Sequence, residues 1–358
     1  MVILHIASVE HAQYSGVSTI VPQHVRAQMQ FAEVGFLNVA VGGPYVCQQQ
    51  FQYTKGLLLS DLPTPFCKPD LIVFHEVYRP AFLKLCRQAK MMAVPYIIVP
   101  HGCLTKVAQR KKRMKKLVAN LLLFNAFIEG ARAIQFLSEA ECRNSDFGRN
   151  KIVEPNGVFM PKERKTGFHS DIIKLLYIGR TEIQIKGLDL MVQAIALIAN
   201  HLRENHAKLF MYGPDYKTQH SDIRSLIRQY NVEDLVELGD AIGGEEKKKE
   251  LLSADLFLQT SRTEGLPVGI LEALSYGLPC LVTTGTNLGE IVSEYDAGWT
   301  AQTDAQSVAN AILKAIDERN TWSRKSENGI RLIAENFDWP MVARNTVAQY
   351  RRIMDGTF

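Results

Sequence analysis

Glu264 and Glu272 stand eight positions apart in Ser261-Arg262-Thr263-Glu264-Gly265-Leu266-Pro267-Val268-Gly269-Ile270-Leu271-Glu272-Ala273. A strand-like run, Ala254 to Gln259, leads into this segment, and a helix-like run, Gly269 to Ser275, leaves it. The first carboxylate therefore falls on a strand-to-helix loop and the second in the first turns of the helix. Between them lie the amides of Gly265, Leu266 and Val268, near the positive end of that helix, which attracts phosphate. Carboxylates accept two hydrogen bonds at once from hydroxyl groups. An anion site flanked by two such acceptors suits a nucleotide-sugar ligand. The plainer alternative is a solvated helix face, with Pro267 marking the helix start.

A second set is cationic. Tyr177-Ile178-Gly179-Arg180 ends a strand-like run, and Lys186-Gly187-Leu188-Asp189 opens the next helix. Arg180 and Lys186 thus fall at opposite ends of one loop. Cations held there would stabilise a departing diphosphate without proton transfer, Arg as a planar fork and Lys as a point charge. Loop cations that are merely solvated are the alternative. Two candidates lie earlier. Gly16, in Tyr14-Ser15-Gly16-Val17-Ser18-Thr19, permits close backbone approach to a ligand. His101, in Val99-Pro100-His101-Gly102, ends a strand-like run. The Gly-x-Gly-x-x-Gly dinucleotide spacing is absent there. Ser138-Glu139-Ala140-Glu141 reads as a helix cap, and Pro155-Asn156-Gly157-Val158 as a turn. No Asp-x-Asp and no His/Cys ligand spacing suggests a metal.

Positioning these residues requires alternating strands and helices, hence α/β architecture with parallel sheets. Strands are expected at 2–8, 37–41, 71–75, 96–99 and 133–137, then at 174–178, 208–212, 236–238, 255–259 and 279–283. Helices are expected at 19–32, 80–92, 188–204, 221–230 and 246–253. The polar stretch Met160-Pro161-Lys162-Glu163-Arg164-Lys165-Thr166-Gly167 reads as a linker. It divides an N-terminal domain, 1–162, from a C-terminal domain, 163–339. In open sheets of this kind, ligands bind beyond the carboxyl ends of the strands.

The chain has 358 residues, 46% hydrophobic and 22% charged, with net charge +4. These values fit one globular chain of two ordinary domains. No apolar run is long enough to span a bilayer, and the start, Met1-Val2-Ile3-Leu4-His5-Ile6, reads as a strand rather than a signal peptide. The six scattered cysteines imply reduced thiols and a cytoplasmic setting. One local feature departs from this even balance. Lys106, Arg110, Lys111, Lys112, Arg113, Lys115 and Lys116 form a basic run ahead of Leu117-Val118-Ala119-Asn120-Leu121-Leu122-Leu123-Phe124. It reads either as a solvated helix face or as a patch that docks on anionic lipid at the inner face of a membrane. No nucleic-acid module or aromatic interleaving accompanies it.

The segment Glu245–Thr284 resembles the retaining glycosyltransferases of the GT-B fold, glycosyltransferase family 4 (group 1). Ser253-Ala254-Asp255-Leu256-Phe257-Leu258, the glutamate loop, and Ala273-Leu274-Ser275-Tyr276-Gly277-Leu278-Pro279-Cys280-Leu281-Val282-Thr283 carry the likeness. The resemblance implies two Rossmann-like domains facing across a cleft, with a C-terminal helix, 340–358, crossing back to the first domain. It implies that Arg180 and Lys186, with Gly179 beside them, hold the donor diphosphate. It places Glu264 on the donor sugar, Glu272 on the ribose, the Gly265, Leu266 and Val268 amides on the phosphates, and Gly213 and Ala241 at the base pocket. His101 would lie near the reacting sugar. The family has two adjacent glycines where this chain has Ser15-Gly16. The implied reaction is metal-independent, retaining transfer from a nucleotide-sugar, read as a UDP-sugar, to a glycan or lipid-linked acceptor in polysaccharide biosynthesis, with no cofactor. A nucleotide-sugar epimerase or hydrolase, and a non-catalytic nucleotide or glycan binder, stay open as alternatives.

Overall fold

The computed structural model describes residues 1–11, 16–110, 113–168 and 171–357. The chain divides into two units, Met1–Gly157 with Trp339–Phe358, and Val158–Asp338. Each unit is built on one parallel sheet.

The first sheet contains β1 (Val2–Ala7), β2 (Glu33–Asn38), β3 (Gln50–Gln52), β4 (Leu71–His75), β5 (Tyr96–Val99), β6 (Ala133–Phe136) and β7 (Lys151–Val153) in the order β3-β2-β1-β4-β5-β6-β7. The second contains β8 (Ile173–Ile178), β9 (Ala207–Tyr212), β10 (Val236–Gly239), β11 (Leu256–Gln259), β12 (Cys280–Thr283) and β13 (Gly298–Ala301) in the order β10-β9-β8-β11-β12-β13. Strands such as β4 (LIVFH) and β5 (YIIV) are buried along their whole length. Helices cover both faces of such sheets, so the strands read as continuous apolar runs rather than alternating ones. In each sheet the strand order reverses once, between β1 and β4 and between β8 and β11. Crevices at such switch points are where open sheets hold ligands.

Several elements differ from expectation. The second strand runs over Glu33–Asn38 instead of 37–41, because the Asn38 side chain turns to the Val9 backbone, accepting from its N–H (3.0 Å) and donating to its carbonyl (2.9 Å). The helix expected at 188–204 is two, Leu188–Leu197 and Ala199–Glu204, separated where Ile198 leaves helical geometry (φ −118°). β3, β7 and β13 are short strands on sheet edges that carry little apolar periodicity.

The chain enters the second unit at Val158, five residues before the expected boundary at 163. Val158 already donates to the Phe337 carbonyl (2.8 Å), and Lys165 to that of Tyr276 (2.8 Å), so the charged stretch is pinned to this unit rather than slack. The return crossing falls at Trp339. The helix Trp339–Asp355 buries Trp339, Val342, Val347, Tyr350 and Ile353 and packs on the helix Gly16–Gln28. Trp339 Nε1 donates to Gln23 (2.9 Å), and the Tyr350 hydroxyl donates to Gln135 (2.5 Å).

Candidate functional site

In the second unit the loops after β8 and β11 meet at the switch point. Gly187 permits this approach. It adopts φ +63°, and a Cβ there would stand 2.1 Å from the Thr260 carbonyl oxygen. Thr260 in turn donates through its hydroxyl to the Lys186 (3.1 Å) and Gly187 (2.9 Å) carbonyls. Gly213 plays a similar part beside β8, where a Cβ would meet the Gly179 carbonyl oxygen at 1.7 Å. The loop after β8 is held further by the Tyr177 hydroxyl, which donates to the Arg180 carbonyl (2.8 Å). Burial pushes that phenol well above its ordinary pKa.

The result is a pair that spans the two loops. Lys186 Nζ donates to Glu264 Oε1 at 2.6 Å, with both side chains mostly buried. The same carboxylate oxygen accepts from the Ser261 hydroxyl (2.7 Å) and from Gln259 Nε2 (3.4 Å). Asn287 Nδ2 donates to the Glu264 carbonyl (2.6 Å). Below them, Arg262 forms a two-pronged ion pair with Asp189 (2.8 and 2.7 Å). Such forked pairs fix geometry as well as charge. Among the described residues, Lys186, Ser261 and Gln259 all orient Glu264 through the one oxygen Oε1.

Glu272 lies on the helix Val268–Ser275, whose N-cap is Pro267. It pairs with Lys247 from the helix Gly244–Ser253. Gly265 and Leu266 lie between the two glutamates, and a Cβ on Gly265 would meet nothing within 4 Å. Packing does not demand glycine there. Arg180 stands apart from Lys186. Its guanidinium lies 5.5 Å from the Tyr216 ring centre and 3.4 Å from Glu182, half exposed. Ala241 sits in the loop between β10 and the helix Gly244–Ser253, half-buried. The structure thus joins Lys186 to Glu264 directly and sets Arg180 and Glu272 on other partners. Gln259, Ser261, Asn287, Lys247 and the Arg262–Asp189 pair were not legible beforehand. Gln259 and Ser261 are polar residues buried at the end of a core strand. That pattern is a usable signal, since buried polar groups require partners.

In the first unit, Gly16 opens the helix Gly16–Gln28, and a Cβ there would meet nothing within 4 Å. Tyr14 and Ser15, next to it, lie outside the described residues. His101 follows β5 in a left-handed conformation (φ +48°), and Gly102 after it is also left-handed (φ +82°). Non-glycine residues hold such a backbone only where their surroundings impose it. Here Glu141 accepts from the Gly102 N–H (2.6 Å) and the Leu137 N–H (2.8 Å). Ser138 caps the helix Glu139–Arg143, accepting from the Glu141 N–H (3.1 Å). Burial lowers the His101 pKa to about 4, so the ring is neutral near pH 7.

The basic run is only partly free. Lys106 pairs with Asp146 (3.0 Å), and Lys116 donates to the Ala108 carbonyl (2.8 Å) and lies over the Tyr78 ring. Arg110 is exposed. Lys111, Lys112 and the side chains of Arg113 and Lys115 lie outside the described part of the structure. The helical stretch beyond carries exposed apolar residues: Met114, Leu117, Val118, Leu121, Leu122 and Leu123 are each at least half exposed. Among the described residues, no helix is long and apolar enough to cross a membrane.

Residues 160–332 match the family described as glycosyl transferases group 1. The matched stretch lies wholly within the second unit. The match covers nearly all of that unit and just under half of the chain. Among curated relatives, the amylovoran biosynthesis glycosyltransferase AmsK of Erwinia amylovora is 29% identical over 277 residues, spanning 73% of this chain and 65% of AmsK. Four further relatives are matched over only 24% to 52% of their own lengths. Two solved structures share the fold over almost the whole chain. Sucrose-phosphate synthase from Thermosynechococcus elongatus superposes with a TM-score of 0.76 at 18% identity, covering 99% of this chain and 100% of that one. Anabaena Alr3699/HepE, solved with UDP and glucose, gives 0.72 at 16% identity, covering 98% and 99%. The fold is that of GT-B glycosyltransferases, two Rossmann-like α/β units. The matched stretch contains Arg180, Lys186, Glu264 and Glu272; Gly16, His101 and the basic run lie outside it.

Proposed function

We propose that the protein is a retaining, metal-independent glycosyltransferase that takes a nucleotide-sugar, read as a UDP-sugar, and extends a glycan or lipid-linked oligosaccharide in polysaccharide biosynthesis. The observation that carries this reading is the Lys186–Glu264 pair at the switch point of the second unit. A lysine held by one carboxylate oxygen is pre-positioned and easily shared. When a diphosphate arrives, Lys186 turns part of its charge to the anion, and Glu264 becomes an acceptor for sugar hydroxyls. Arg180, half exposed on the adjacent loop, supplies a second cation. Together they would stabilise the leaving diphosphate as its charge develops, the task that a bound divalent ion would otherwise perform. The amides of Gly265, Leu266 and Val268 hold phosphate oxygens, and Glu272 takes the ribose hydroxyls, exchanging its Lys247 partner. Retention rests on the family likeness. The departing phosphate would take the acceptor's proton on the same face of the sugar.

The acceptor class is supported by the names of relatives. AmsK acts in amylovoran biosynthesis, and another match is a GDP-mannose:cellobiosyl-diphosphopolyprenol α-mannosyltransferase of Xanthomonas oryzae. The UDP reading draws on the HepE complex. The test is turnover of a panel of UDP-, GDP- and ADP-sugars with glycan and polyprenol-diphosphate-linked acceptors, in chelator, with the product anomer read by NMR. The expected result is transfer with the donor's anomeric configuration kept and no metal needed. Inversion, or activity lost in chelator and restored by manganese, contradicts it. Product released without any acceptor sugar would favour the epimerase or hydrolase.

The first unit is proposed to meet the membrane peripherally, at the cytoplasmic face. The exposed leucines beyond the basic run are the support, since basic side chains attract anionic headgroups and apolar ones insert beside them. Co-sedimentation with phosphatidylglycerol vesicles should exceed that with neutral ones, and Leu121→Glu with Leu122→Glu should abolish it. Equal binding to both vesicle types, or none, counts against the patch.

A further inference from the structure

Four histidines of the first unit form one hydrogen-bonded chain. His5 belongs to β1, His24 to the helix Gly16–Gln28, His75 ends β4, and His101 follows β5. His101 Nε2 lies 3.0 Å from His75 Nδ1, and His75 Nε2 lies 2.9 Å from His5 Nδ1. His5 Nε2 lies 3.0 Å from Gln28 Oε1, and Gln28 Nε2 lies 2.6 Å from His24 Nε2. His5, His24, His75 and Gln28 are all buried, and the His5–His75 and His75–His101 rings stack with centroids 5.2 and 5.3 Å apart. His24 stacks in turn on Trp339 at 5.4 Å. Sequence reasoning singled out only His101. The other members are spread over 70 positions and meet only because the sheet brings them together.

A neutral imidazole carries one N–H and one lone pair, so each bond in such a chain dictates the next. Gln28 sets the direction. Its Oε1 can only accept, so His5 must carry its proton on Nε2. His5 Nδ1 is then an acceptor, which puts the His75 proton on Nε2. His75 Nδ1 is an acceptor in the same way, which puts the His101 proton on Nε2. On the other side, Gln28 Nε2 donates, so His24 Nε2 accepts and its proton sits on Nδ1, a buried atom without a partner among the described residues. Burial disfavours the charged form at all four rings, which keeps each tautomer choice binary. An apolar cluster of the same volume would leave no such orphan.

We propose that this chain is a tautomer lock. Gln28 is a positioning residue that acts through His5 and His75. It fixes the His101 proton on Nε2 and leaves His101 Nδ1, the ring atom the chain does not use, as an acceptor for a hydroxyl group. The site is the carboxyl end of the first unit's sheet, where the strained backbone at His101 aims the ring. The hydroxyl is a sugar hydroxyl on the function proposed above, while the lock itself does not depend on that function.

The experiment is long-range proton–nitrogen NMR of the full chain labelled with nitrogen-15 at histidine, near pH 7. The expected spectrum shows His5, His75 and His101 as Nε2–H tautomers and His24 as Nδ1–H. Gln28→Glu keeps an acceptor opposite His5 and should leave the His101 tautomer unchanged. Gln28→Met removes it and should let His101 average between tautomers, with folding checked by the unchanged spectrum of the second unit's histidines and by thermal unfolding. An Nδ1–H or cationic His101 in the unsubstituted protein overturns the proposal, as does an unaltered His101 in a folded Gln28→Met variant. If that variant fails to fold, the unsubstituted and Gln28→Glu spectra decide. Absence of transfer activity on every donor would leave these spectra unchanged, so the two readings fail separately.

Discussion

At the scale of single residues, charge is placed here by partners rather than by exposure. Glu264 is held by Lys186, Ser261 and Gln259. Glu141 is a buried carboxylate that fastens the loop at His101–Gly102 through two backbone N–H groups. Glu154 differs. It is buried with a long hydrogen bond from Thr346 at 3.5 Å, the one its side chain makes among the described residues, and burial raises its pKa from 4.5 to about 7. Between those values the folded state binds more protons at this group than the unfolded state does. Its contribution to stability therefore falls as pH rises through that window and levels off above about 7. Glu154→Gln should match the parent near pH 4 and exceed it above neutrality by on the order of 3 kcal/mol, as read from denaturant unfolding at a series of pH values. A constant difference at all pH values would refute the assignment. The candidates Glu264 and Glu272, and likewise Arg180 and Lys186, stand out in the sequence because each pair shares one loop motif. Their immediate partners do not. Lys247 reaches Glu272, and Asp189 reaches Arg262, from other elements, and no local pattern announces such pairs.

At the scale of elements, the apolar strands of both sheets and most helices followed from periodicity, because buried parallel strands leave continuous apolar runs. The edge strands β3, β7 and β13 did not, since an edge needs less apolar surface. The break at Ile198 was also hidden, for its residue type suits a helix well enough. The turns after the strands carry more of the site than the strands themselves. Gly187 is the sharpest case, with both a left-handed backbone and a carbonyl in the way of any Cβ. Gly187→Ala should destabilise the protein by about 2–4 kcal/mol, from strain and overpacking together. It should also displace Lys186, whose carbonyl the Thr260 hydroxyl holds. Thermal unfolding and a structure of the variant would check this, and an undisturbed melting temperature would contradict it.

At the scale of the whole molecule, one chain builds two parallel-sheet units and then returns its last helix to the first. The division was readable from the charged stretch near 160–167, but its edge was not, because Val158 is already bonded to the second unit. The central claim concerns that second unit: its switch point binds a nucleotide-sugar through Lys186 and Glu264. Ligand that binds only the folded state raises its melting temperature by mass action. The direct measurement is a thermal-shift titration with UDP-, GDP- and ADP-sugars on the parent chain and on Lys186→Ala. One nucleotide-sugar should stabilise the parent, and Lys186→Ala should need about tenfold to a hundredfold more of it for the same shift, the loss of about 1.5–3 kcal/mol from one hydrogen bond to a charged group. Equal stabilisation of the two proteins by that donor, or no stabilisation by any of the three, would contradict the account.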